Sequence, residues 1–166
     1  MNKTANIVLT GFMGTGKSTV AQCLAQKLNR PLVDMDALIE TRTGYAISRI
    51  FTERGENFFR AIEKGVCYEL SLQTNIIVST GGGALINAEN REAMLQNGFV
   101  VCLTAQPDTI EQRLSQADNR PLAKQWREIL AQRQAIYARL PHHISTDLLT
   151  PDQVADEIIT LWNVSL

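Results

Sequence analysis

The stretch "GFMGTGKST", Gly11 to Thr19, decides the architecture. It follows the apolar run "NIVL" and precedes "VAQCLAQKLN", whose apolar residues recur at helical spacing. A strand, a glycine-rich bend and a helix are therefore expected in that order. Gly11, Gly16, Lys17 and Ser18 complete the pattern G-x-x-x-x-G-K-[ST]. Each residue type answers a physical need. Glycines let backbone N–H groups turn inward and form a nest for an anion. A helix beginning near Lys17 adds its positive end. Lys17 brings a compact cation to the outer phosphates, and Ser18 offers a hydroxyl to a magnesium ion. Gly14, Thr15 and Thr19 fall within the same phosphate-binding stretch. Glycine is about 7% of residues in an average protein, so an accidental match in a chain of this size is expected less than about 1% of the time. The stretch is read as a site for a nucleoside triphosphate with Mg2+.

Outward from it, apolar strands alternate with helical patterns. "ANIVLT", "RPLVD", "NIIVST", "FVVCLT" and "HHISTD" read as five strands. Residues from about 36 to 73 read as helices interrupted near Gly44 and Gly55, and a further helix runs from about Asn87 to Gln96. "TPDQVADEIITLW" has threonine before proline and acids in its first turn, the marks of a helix start. The expected fold is α/β: a five-stranded parallel sheet flanked by helices on both faces, of the P-loop, nucleoside-monophosphate-kinase-like type, in one domain over residues 1–166. Ligands in such sheets bind beyond the carboxyl ends of the strands. Gly11 to Ser18, Asp34 with Asp36, and Gly81 to Gly83 all fall at such ends.

Bulk properties limit the alternatives. The chain has 166 residues, 45% of them hydrophobic and 20% charged, with a formal net charge of −1. A nucleic-acid groove is not expected from that balance. No stretch approaches a membrane span. Three cysteines, Cys23, Cys67 and Cys102, match no metal pattern and read as buried free thiols. A cytoplasmic protein is expected, and a monomer. A regulatory GTPase would need a guanine-reading [NT]-K-x-D stretch and a D-x-x-G switch, and neither is present. A small kinase with a second pocket and a lid remains.

Candidates for that pocket stand along the chain. "VDMD" puts Asp34 and Asp36 two apart after a strand, so on extended backbone both point to one side. One would support the metal and the other would accept a proton from an attacking hydroxyl. The plainer alternative is a helix cap beside a surface acid. Arg60 and Glu63 lie three apart on a helix, where an exposed ion pair is the plain alternative. "STGGGA" allows either close backbone approach or a permissive turn. His142 and His143 read as satisfied or exposed histidines, and Trp126 and Trp162 as packing residues.

Together "GFMGTGKST", "DMD", "GENFFRAIE", "STGGGA" and "NRPLA" resemble shikimate kinase over nearly the whole chain, including "IETRTGYAISRIF" between the first two pockets. The resemblance implies transfer of the γ-phosphoryl of ATP, with Mg2+, to the 3-hydroxyl of shikimate. It implies that Lys17 cradles the phosphates, that Ser18 binds the metal and that Asp34 supports it through water. Asp36 would hold the shikimate hydroxyls and act as general base. Arg60 and Arg133 would clamp the carboxylate beside Gly81, Gly82 and Gly83, and Phe51 and Phe59 would wall the ring. Arg120 would be the lid arginine and Arg113 would stack on adenine. The substrate-binding helices would span about 36–63 and the lid about 115–125.

Two departures stand out. Only thirteen positions separate Arg120 from Arg133, fewer than the family usually has, so the lid is short. After Arg133 the family usually reads x-P-L-Y, whereas this chain reads "QAIY". Arg139, and more weakly Arg127, are the substitutes for Arg133, both otherwise solvated helix charges. These departures motivate a same-fold kinase for gluconate or an amino analogue of shikimate as the alternative. A nucleotide-binding regulator without catalysis is the second.

Overall fold

A computed structural model describes residues 3–116 and 125–166. Arg120 and most of the expected lid lie outside the described residues. Among the described residues five strands form one parallel sheet in the order β2-β3-β1-β4-β5. They are β1 (Asn6–Gly11), β2 (Leu32–Asp34), β3 (Ile77–Ser79), β4 (Gly98–Thr104) and β5 (His142–Ser145). The connecting helices are α1 (Lys17–Leu28), α2 (Met35–Thr43), α3 (Ile47–Arg54), α4 (Glu56–Ser71), α5 (Ala88–Asn97), α6 (Pro107–Ser115) and α7 (Trp126–Tyr137), with α8 (Pro151–Val164) last. The expected interruptions are present: Gly44 ends α2 in left-handed backbone and Gly55 separates α3 from α4. A short 3₁₀ turn at Ala84–Ile86 was not legible in the sequence.

Side chains of successive strand residues point to opposite faces, so a strand with two covered faces is apolar throughout. β1 and β4 show this. Val8, Val100 and Cys102 join the core under α2 to α7. Ile7, Leu9, Phe99, Val101 and Leu103 join the core under α1 and α8. Lys27 of α1 bridges Asp152 and Asp156 of α8 at 3.0 and 2.9 Å. Thr150 and Gln153 make a reciprocal cap at the start of α8, as the threonine-proline start suggested.

Asn6 is a buried polar residue with a structural task. Its amide donates to the carbonyls of Leu70 and Gln73 at 3.2 and 2.9 Å, and its oxygen accepts from Ile76 N–H at 3.1 Å. It joins the end of α4 to the start of β3 beneath the sheet. Cys67 and Cys102 are buried and free, with thiols pushed by burial up to about 12 and about 11. Cys23 is only partly buried, because its side of α1 is not fully covered. Trp126 and Trp162 pack as expected, Trp126 against Phe12 at 6.4 Å and Trp162 against Phe99 at 5.3 Å between ring centres. His142 stacks on Phe99, and a ring nitrogen of His143 lies 2.9 Å from the Tyr137 carbonyl. Among the described residues no helix is long and apolar enough to cross a membrane.

Candidate active site

The phosphate loop is shaped by backbone conformations that favour glycine. Gly14 and Gly16 have φ of 80° and 88°, in the left-handed region. Gly16 is also the N-cap of α1, so the helix end faces the loop. Thr15 is buried, and its hydroxyl donates to the Phe12 carbonyl at 2.8 Å. The Lys17 ammonium donates to the same carbonyl at 2.8 Å, laid across the loop. Ser18 and Thr19, the next two residues, are exposed at the start of α1.

Arg113 of α6 braces this loop. Its guanidinium donates to the Gly14 carbonyl at 3.0 Å and to the hydroxyl and carbonyl of Thr146 at 2.9 and 2.7 Å. The loop is thereby tied to the segment after β5. That strut is a role the sequence reading did not contain.

Asp34 combines the two alternatives that the sequence left open. One carboxylate oxygen caps α2, accepting from the N–H groups of Asp36 and Ala37 at 3.1 and 3.2 Å. The other accepts from the Ser18 hydroxyl at 2.9 Å. The cap turns the chain into a helix at Met35, so Asp36 sits in the first turn of α2 and not on extended backbone. That corrects the expected alternation of the two aspartates. Asp36 still reaches the third pocket element: a methyl group placed on Gly81 would lie 2.7 Å from its Oδ1.

The three glycines after β3 answer the question left by "STGGGA". None of them has a left-handed φ. Space, and not backbone freedom, is what Gly81 and Gly83 answer to, whereas a methyl on Gly82 would meet only ordinary contacts. A methyl on Gly83 would lie 2.9 and 3.0 Å from the two terminal nitrogens of Arg60, and 3.2 Å from Nη2 of Arg133. A methyl on Gly82 would lie 3.9 Å from Nη1 of Arg133. Two guanidinium groups from different helices thus converge on one glycine.

Arg60 is held by acids on two sides. Its Nη1 donates to the Glu63 carboxylate at 2.7 Å, and its Nε and Nη2 donate to one oxygen of Glu56 at 3.2 and 3.1 Å. Glu63 is 1% exposed, so the pair is not the surface contact that its spacing alone suggests. Burial pushes the Glu63 carboxyl above its ordinary range, with Arg60 pulling against it. Burial also works against the charge of Arg60, but Glu63 and Glu56 more than offset it and hold the guanidinium above its usual value. The asymmetry has a physical cause: Glu63 is enclosed, whereas the Arg60 side chain is 32% exposed. Phe59 is buried and Phe51 exposed, their rings 4.8 Å apart beside Arg60.

Arg133 keeps its place without the proline. Ala135 continues α7 through the position where proline would remove a backbone donor. Arg127 instead pairs with Glu111 at 2.7 Å, and Arg139 is exposed. Both are the solvated charges expected of them.

Ser18 and Asp34 offer hard oxygen atoms side by side at the mouth of the phosphate loop, the donor chemistry that suits Mg2+ on a nucleotide. Among the described residues no cluster of three or more His, Cys, Asp or Glu side chains is arranged to hold a metal. An ion carried by phosphates and water needs no such cage.

The arrangement has relatives. The family model for shikimate kinase matches residues 13–162. A shikimate kinase from a Sulfurihydrogenibium species is 41% identical over 159 residues, covering 93% of this chain and 96% of that one. One from Persephonella marina is 42% identical over 158 residues, covering 93% and 96%. The structure of a shikimate kinase from Acinetobacter baumannii in complex with shikimate superposes with a TM-score of 0.92 at 35% identity, covering 98% of this chain and 95% of that one. With a family match along almost all of its length, the chain belongs to the shikimate kinase family.

Proposed function

We propose that this protein transfers the γ-phosphoryl group of ATP to the 3-hydroxyl of shikimate, giving shikimate 3-phosphate and ADP for aromatic amino acid biosynthesis. Beyond family membership, the observation that carries the reading is the meeting of Arg60 and Arg133 at Gly83, with Asp36 at Gly81 two residues away. A small ring with a carboxylate at one end and hydroxyls at the other fits that spacing of charges. Planar guanidinium forks suit a carboxylate, and an aspartate suits hydroxyls. Phe51 and Phe59 supply an apolar side to the ring.

Lys17 and the N–H groups of Gly14 to Thr19 hold the phosphates of ATP, where charge develops in the transition state. Mg2+, held by Ser18 and supported by Asp34 through water, would neutralise phosphate charge. Asp36 orients the acceptor hydroxyl and takes its proton. Arg120 completes the charge around the transferred group, from a lid over about 115–125 that keeps water out. Arg113, whose edges are tied to Gly14 and Thr146, is assigned to stack on adenine. The working form is taken as one domain and as a cytoplasmic monomer that needs neither nucleic acid nor membrane.

An acceptor panel tests this reading. Shikimate, gluconate and aminoshikimate would each be offered with ATP and Mg2+, and the product located by phosphorus NMR. Phosphorylation of shikimate at its 3-oxygen is the expected result. Turnover of gluconate but not shikimate would overturn it.

A further inference from the structure

Tyr137 takes no part in the chemistry above, yet it touches two parts of the acceptor pocket. It is the last residue of α7, four positions after Arg133, so both side chains share one face of that helix. Its ring is 6% exposed. Its phenol O–H donates to the Gly82 carbonyl, across 55 positions of sequence. The Arg133 guanidinium lies near enough to the phenol to favour its charged form, against the effect of burial. The backbone behind Tyr137 is fixed as well, because its carbonyl accepts from Leu140 N–H at 3.0 Å.

The Gly82 carbonyl and the Gly83 N–H belong to one planar trans peptide and point in opposite directions. Whatever holds the carbonyl therefore aims the N–H. Gly82 and Gly83 have neither side chains to steer them nor a hydrogen bond from their own N–H groups to another described residue. The Tyr137 contact is what fixes this peptide from α7.

We propose that Tyr137 is a positioning residue for the acceptor carboxylate: by holding the Gly82 carbonyl it aims the Gly83 N–H, and from one helical turn away it steadies Arg133 against the same glycine. This rests on the reading of Gly83 as the carboxylate end of the pocket. One phenol then aligns two of three donors, the third being Arg60. Burial pushes the phenol up to about 12, so it remains a protonated donor at any pH used for assay.

Tyr137→Phe keeps the ring and removes the hydroxyl. KM for shikimate is expected to rise roughly tenfold, the order of one lost buried hydrogen bond, with KM for ATP unchanged and kcat within about twofold. A shikimate analogue with its carboxylate reduced to an alcohol supplies the readout that a general loosening of the fold would not move. Its inhibition constant is expected to be the same for both proteins. An unchanged shikimate KM, or equal weakening of shikimate and the analogue, would overturn the proposal. So would a Tm loss above about 5 °C with equal damage to both substrates, which would assign Tyr137 to stability alone. Arg60→Ala, measured in parallel, separates the two levels: if it leaves the shikimate KM unchanged, the carboxylate reading of Gly83 has failed, whatever Tyr137 does.

Discussion

The phosphate loop and the acceptor pocket are built by different means. The loop is one continuous piece of chain, Gly11 to Thr19, whose proposed function rests on backbone N–H groups, a helix end and one lysine. The pocket is assembled from side chains of α2, α4 and α7 around three glycines after β3. The loop's chemistry is fixed as soon as its residues are consecutive. The pocket's chemistry exists only when the whole sheet is folded. A local device should therefore fail all at once, whereas an assembled one should fail in parts that can be told apart.

Lys17→Ala should have the largest effect, cutting kcat on the order of a thousandfold through loss of charge stabilisation at the phosphates. Steady-state kinetics at saturating ATP reads it, and near-normal turnover would remove Lys17 from the site. Asp36→Asn should lower kcat roughly a hundredfold while ATP binding, followed by calorimetry, stays intact. Retained turnover would disqualify Asp36 as the base. Arg60→Ala should leave kcat largely alone and raise the shikimate KM about thirtyfold, the order of a lost charge-assisted contact. Equal loss of affinity for ATP would erase the separation between loop and pocket.

Gly83→Ala sharpens the comparison. A methyl there crowds only the ends of two flexible arginines, so it should raise the shikimate KM about tenfold without lowering Tm by more than about 2 °C. A large loss of stability would mean that the turn itself requires glycine.

The smallest effect concerns pH. The Glu63 carboxyl is raised in the folded protein, so the folded state binds its proton more readily than the unfolded chain. Stability from this group therefore rises as pH falls through the folded pKa towards the ordinary value. Any Tm advantage of Glu63→Gln at pH 7 should shrink on acidification to pH 5, and an advantage that grows would contradict the burial argument.

Legibility in the sequence followed the same division. The five strands, the breaks at Gly44 and Gly55 and the start of α8 rest on short-range patterns, and each was readable. So was the phosphate loop. The placement of Asp36 was misread, because the cap made by Asp34 turns the chain one residue earlier than strand alternation assumes. Glu63 looked like half of a surface pair, since only tertiary burial distinguishes it. The triple glycine left close approach and permissive turn level until its φ values and the two arginine ends were known. Asn6, the Arg113 strut and the phenol of Tyr137 act on carbonyls far away in the chain, and no local pattern marks such partners.

One assay bears most directly on whether these two regions work as a single kinase: ADP release with ATP and Mg2+, with and without shikimate. Release that requires shikimate, at a rate saturating in both substrates, is the expected result. Release that proceeds equally without an acceptor, or none with shikimate present, would contradict the assignment of the second pocket.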